Sequence, residues 1–104
     1  MNYFDTGDYF IMLALAEGSK HGGAVSDQMI ADSVGAVYLK SSSLYDALKR
    51  LEKAELIERS ANPEMKAQAK SYRLTDHGQR QLASAVHMHE RAVVLGRGRL
   101  GWRY

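Results

Sequence analysis

The chain has 104 residues, enough for one compact domain and too few for two. Hydrophobic residues make up 45% and charged residues 25%, a globular balance that argues against disorder, and with no cysteine there is no disulfide scaffold, thiolate zinc site or cysteine catalysis. The net charge of +2 hides a gradient, because residues 1–39 sum to −4, residues 40–65 to zero and residues 66–104 to +6. A basic end suits nucleic acid or another anionic surface, and equally suits a solvated tail.

Residues 8–17 are apolar nearly all round, which predicts a buried first helix. Gly18 is its expected stop, and Gly22-Gly23 is expected to reinforce the break. The longest apolar run, residues 9–16, is far below the roughly 18 residues of a membrane span. No secretion signal opens the sequence, so a cytoplasmic chain with no membrane partner is expected. Residues 24–34 read as a second helix, and residues 36–39 as a brief strand.

Residues 41–54 are the clearest helix, with three serines to cap it and Leu44, Leu48 and Leu51 spaced by four and three. At about 100° per residue those leucines form one narrow stripe, while Asp46, Lys49, Arg50 and Lys53 lie opposite. Ser42 and Ser43 extend the polar face and Tyr45 flanks it. Such a helix suits the major groove, with Lys49 and Arg50 donating to guanine edges or phosphates and the serines to phosphate. An ordinary solvated helix face gives the same pattern.

Residues 56–59 and 71–74 are candidate strands around a polar loop of about ten residues, a long hairpin. The loop carries Lys66 and Lys70, the strands carry Arg59 and Arg73, and Glu64 is the one acid set against them. Helices followed by a basic hairpin form the layout of a winged helix-turn-helix domain, where a helix reads base edges and the wing grips the backbone. Thr75 then caps a long helix expected to run to about Leu95 and to stop at Gly96 and Gly98. The fold class is therefore mainly α with a small β-hairpin: a winged helix-turn-helix over residues 1–75, then a C-terminal dimerisation helix and basic tail over residues 76–104.

The stretches YFIMLALAEGSKHG (residues 9–22), SLYDALKRLEKAELIE (43–58) and SYRLTDHG (71–78) resemble the PadR-like transcriptional regulators. The resemblance spans most of residues 9–82 in the right order and spacing. It implies a winged-helix repressor, homodimeric on an inverted-repeat operator and released from DNA by a small aromatic or hydrophobic effector. It also implies Ser42, Ser43, Tyr45 and the wing residue Lys70 as DNA contacts, and the length matches a short subgroup with a single dimerisation helix. The chain departs from the family pattern at Gly23, where a tyrosine is usual, and at Lys40-Ser41-Ser42-Ser43, where Ser-Pro-Gly-Thr is usual.

On the last helix Leu82, Val86, His89 and Val93 form one apolar seam, with Met88 and Leu95 on another side, which suits a helix held between its own domain and a partner's. His87 and His89 are two apart and cannot chelate one metal, so no metal site is expected and His89 is read as hydrogen-bonded across an interface. The family resemblance suggests an effector pocket between the first and last helices, where Tyr9, Met12, Met88 and Trp102 are candidate linings, although simple core packing explains each of them. No phosphate loop, paired carboxylates or nucleophile-base arrangement supports an enzyme, and no cofactor is implied. A winged-helix protein-interaction module without sequence-specific DNA binding is the alternative.

Overall fold

The computed structural model describes residues 4–60 and 70–101. Helix α1 (Thr6–Ala16) is followed by a two-residue strand β1 (Lys20–His21), α2 (Gly22–Asp32) and α3 (Ser41–Lys53). Strands β2 (Ile57–Ser60) and β3 (Ser71–Leu74) form the hairpin, and α4 (Asp76–Leu100) ends the described chain. The sheet is antiparallel in the order β1-β3-β2, with Tyr72 paired to both Lys20 and Arg59. Three helices and a winged hairpin followed by a long helix match the architecture expected from the sequence.

Several boundaries differ from the expected ones, each for a local reason. The segment 36–39 is not a strand: it opens on a bend at Ala36 and joins no sheet, with Val37 and Leu39 packed on the core and Tyr38 exposed. The sheet's third strand is Lys20–His21, too short to show any periodicity. Gly22 and Gly23 do not break the chain but open α2, because the His21 ring caps it, Nδ1 accepting from the Ala24 N–H at 3.3 Å. None of the three serines caps α3; Lys40 is the N-cap residue and makes no side-chain cap bond. Ser41, Ser42 and Ser43 therefore occupy the first turn itself. Gly96 and Gly98 do not stop α4, which runs to Leu100 and ends on Gly101 at φ 67°, the left-handed conformation that glycine adopts without penalty. An interior glycine costs a helix about 1 kcal/mol, too little to end one already five turns long.

Helix α2 closes with the Gly35 N–H on the Ile30 carbonyl at 2.8 Å, and α3 with the Leu56 N–H on the Leu51 carbonyl at 3.0 Å. Both are Schellman closures whose left-handed position is filled by a side-chain-bearing residue, Val34 (φ 54°) and Glu55 (φ 62°). Ile11, Met12, Val25, Met29, Leu48 and Ile57 are fully enclosed, so α1, α2, α3 and the hairpin share one core.

The joint between the hairpin and α4 is tightly specified. Thr75 Oγ1 donates to the Glu55 carbonyl at 2.7 Å and accepts from the Gly78 N–H at 2.9 Å, while the Thr75 N–H reaches the Leu56 carbonyl at 3.1 Å. A β-carbon on Gly78 would lie 2.0 Å from that same carbonyl oxygen, so only glycine lets the helix approach the strand this closely. Past His89, which stacks on Tyr9, α4 leaves the body. The radius of gyration is 15.1 Å, against about 13 Å for a compact domain of this length, and the longest extent is 53 Å.

Candidate nucleic-acid interface

Helix α3 buries Leu44, Ala47, Leu48 and Leu51 and exposes Ser41, Ser42, Ser43, Tyr45, Asp46, Lys49 and Lys53. The leucine stripe thus fixes which side chains face away from the body. Ser42, Ser43, Tyr45 and Lys49 all stand on that outward side. Tyr45 is half exposed and lies over the start of α2, where a β-carbon on Gly22 would meet its hydroxyl at 2.6 Å. The glycine is therefore a seat for the tyrosine ring.

Arg50 is the exception among the expected contacts. Its guanidinium forms a two-pronged pair with Asp8 of α1, Nη1 to Oδ2 at 2.6 Å and Nη2 to Oδ1 at 2.9 Å. The Asp8 side chain is 8% exposed and that of Arg50 56%. The hydrogen bond to Asp8 is the largest cause raising the Arg50 pKa further above its ordinary value, partly offset by desolvation. The helical wheel set Arg50 on the polar side; it missed that Asp8, a polar residue in an apolar helix, waits at the edge of that side. A lone buried carboxylate in α1 was the signal available in the sequence, since burial demands a partner.

The wing strands are also less basic than their sequence suggests. Arg59 Nε lies 3.3 Å from Glu52 Oε2, and Arg73 Nε donates to Glu58 Oε1 at 2.8 Å. Glu52 and Glu58 oppose these arginines, not Glu64 alone. Among the described residues no ion pair involves Lys40, Lys49, Lys53 or Lys70. Lys70 is exposed immediately before β3, and Lys66 lies outside the described residues.

The expected dimerisation seam divides. Leu82 is buried in the chain's own core and Val86 packs against that core, whereas Val93 is 52% exposed. His89 bonds within its own helix, Nδ1 to the Ala85 carbonyl at 2.6 Å, and stacks on Tyr9. Exposed apolar side chains gather further along α4, at Val93, Val94 and Leu100. Of the expected effector linings, Met12 is fully enclosed core, Tyr9 and Met88 are half-buried, and Trp102 lies outside the described residues. A separate open cavity of about 710 Å³ lies between the end of α1, β3 and α4, lined by Leu15, Leu82, Ala83 and Val86 with Arg73 and His87 among its polar groups. Among the described residues no helix is long and apolar enough to cross a membrane.

The model of the transcriptional regulator PadR-like family matches residues 11–84. A transcriptional regulator from Clostridium thermocellum has a similar structure, with TM-score 0.75 and 22% identity over 92% of this chain and 97% of that one. A PadR-like regulator from Bacillus cereus matches with TM-score 0.76 and 21% identity, over 89% of each chain. Bacillus subtilis PadR, solved in complex with operator DNA, matches with TM-score 0.65 and 25% identity, over 76% of this chain and 45% of that one. No curated protein matches the sequence.

Proposed function

This chain belongs to the PadR-like family of transcriptional regulators, and from that premise we propose that it is a sequence-specific DNA-binding repressor acting in the cytoplasm as a homodimer on an inverted-repeat operator. The observation that carries this reading is the outward face of α3, where Ser42, Ser43, Tyr45 and Lys49 project away from a leucine-filled core. Lys49 donates to base edges or phosphates, the serines donate to phosphate, and Lys66 and Lys70 bring the wing against the neighbouring backbone. The solved complex of Bacillus subtilis PadR with operator DNA supports the partner.

Residues 1–75 act as the DNA-binding unit and residues 76–104 as the dimerisation helix and tail. The exposed Val93, Val94 and Leu100 on the projecting end of α4 support pairing with a second copy. The 710 Å³ cavity beside α4 is large enough for a small aromatic or hydrophobic effector, and its position between α1 and α4 lets occupancy alter the angle between the two units.

Selection of duplexes from a randomised library by the full chain tests the reading. It predicts an enriched inverted repeat, bound with affinity that falls steeply with salt, and a Lys49→Ala variant that loses about 1–3 kcal/mol of preference for it. A chain that enriches nothing overturns the reading, and a monomer on DNA by analytical ultracentrifugation overturns the homodimer.

A further inference from the structure

Arg50 sits on the side of α3 that faces away from the core, yet its fork is committed to α1. A two-pronged arginine–carboxylate pair fixes both distance and angle, because two parallel N–H donors must meet two oxygens at once. Asp8 is held in turn: its own N–H donates to the Asp5 side chain at 2.8 Å, and its helix is anchored by Ile11, Met12 and Leu15 in the core. Helix α3 is anchored in the same core by Leu44, Leu48 and Leu51, so the pair acts on two helices that are both already seated and fixes the angle between them. The pair also borders a hollow of about 430 Å³ shared with Ser43, two helical turns before Arg50 on the same side and one of the proposed DNA contacts. A change at Arg50 is thus felt where Ser43 would meet the backbone.

We propose that Arg50 is a positioning residue rather than a DNA contact: its paired hydrogen bonds with Asp8 set the angle at which α3 is offered to the groove, and so set sequence preference. The inference rests on the DNA-binding reading of α3. It makes Asp8, an acid from the negatively charged front of the chain, necessary for recognition of a polyanion.

Simple electrostatics gives the opposite expectation. Were Arg50 a phosphate contact neutralised by Asp8 between binding events, Asp8→Asn would free it and tighten binding to every duplex. Under the positioning role Asp8→Asn weakens the enriched duplex and leaves random duplex unchanged. Arg50→Lys separates the roles again. Lysine keeps the charge, so a phosphate contact survives it, but a single ammonium cannot span two carboxylate oxygens in the fork geometry.

The experiment measures affinity of the full chain for its library-enriched duplex and for a random-sequence duplex of equal length, across a salt series. Circular dichroism first sets a temperature at which every variant is folded, so that loss of stability alone cannot move the readout. Asp8→Asn and Arg50→Lys are each expected to reduce the ratio of enriched to random affinity by about tenfold, with the slope of log affinity against log salt unchanged. The proposal is overturned if Asp8→Asn tightens binding, or if Arg50→Lys keeps the wild-type ratio. It is also overturned if Arg50→Met lowers the salt slope by about one, the signature of a lost phosphate contact. A wild-type chain that enriches no duplex overturns the DNA-binding reading itself and this inference with it, whereas wild-type enrichment with unaffected variants overturns this inference alone.

Discussion

Tyr9 of α1 stacks on His89 of α4, with ring centroids 4.3 Å apart and planes inclined by 20°. His89 Nδ1 lies 2.6 Å from the Ala85 carbonyl, which can only accept, so Nδ1 carries the hydrogen and the ring is held flat against the tyrosine. Asp8, the residue before Tyr9, holds Arg50 of α3. Two consecutive residues of one helix thus fasten α1 to both the candidate recognition helix and the long helix.

The stack makes a measurable contribution. In a double-mutant cycle of Tyr9→Ala and His89→Ala, the coupling energy from thermal or denaturant unfolding is expected near the low end of the roughly 0.5–1.5 kcal/mol seen for aromatic pairs, because the histidine is exposed. Additive single-mutant losses would show that the rings are neighbours without interacting.

Two glycines that abut other atoms should respond differently to alanine. Gly78→Ala places a β-carbon against the Leu56 backbone carbonyl, so the base of α4 must move, and a loss of about 2–3 kcal/mol is expected. Gly22→Ala meets the Tyr45 hydroxyl, the free end of a side chain, and should cost little stability. It should instead displace the tyrosine, visible as a change in Tyr45 ring resonances.

Val34 is a β-branched residue in the left-handed region, 93% exposed, so its side chain packs against almost nothing. Val34→Gly removes the backbone strain without removing contacts and is expected to stabilise the fold by about 1 kcal/mol. A lower midpoint in urea unfolding would contradict this.

Gly96 and Gly98 have open space where a side chain would go. Alanine at each should stabilise the end of α4 by about 0.8–1 kcal/mol and raise helical circular dichroism. Gly101→Ala should do the reverse, since φ 67° disfavours a β-carbon.

Burial raises the pKa of the Tyr72 phenol above its ordinary value near 10, with Arg59 pulling the other way. The folded chain therefore keeps this proton at a pH where the unfolded chain has lost it. Stability is fully present below pH 10 and declines as pH rises from there through the folded pKa. Tyr72→Phe should flatten that alkaline decline relative to wild type, followed by unfolding midpoints across the pH series.

The parts of this fold that were legible in the sequence are those with a periodicity long enough to declare itself. Leu44, Leu48 and Leu51 located α3 and its outward face, and Thr75 located the start of α4. What stayed hidden depends on partners distant in the chain. Lys20–His21 becomes a strand only because Tyr72 and Ser71 lie beside it. Gly22-Gly23 reads as a break for a different, local reason: its cap is His21, a residue type outside the usual N-cap set. The candidate interface divides similarly: Ser42, Ser43, Tyr45 and Lys49 followed from the wheel, while the Arg50–Asp8 pair crosses 42 positions of sequence and no local pattern encodes it.

The joint at Thr75 and Gly78 has a mechanical consequence. Helix α4 is 25 residues long, a rod of about 37 Å fastened where Gly78 touches Leu56 and again where His89 stacks on Tyr9. Those fastenings lie about 16 Å apart along the axis, with Leu82 and Val86 seated between them, so the base of the rod is clamped at two points. Only the stretch after His89, about another 16 Å, overhangs the body. The glycine whose missing side chain permits the close approach is one jaw of that clamp.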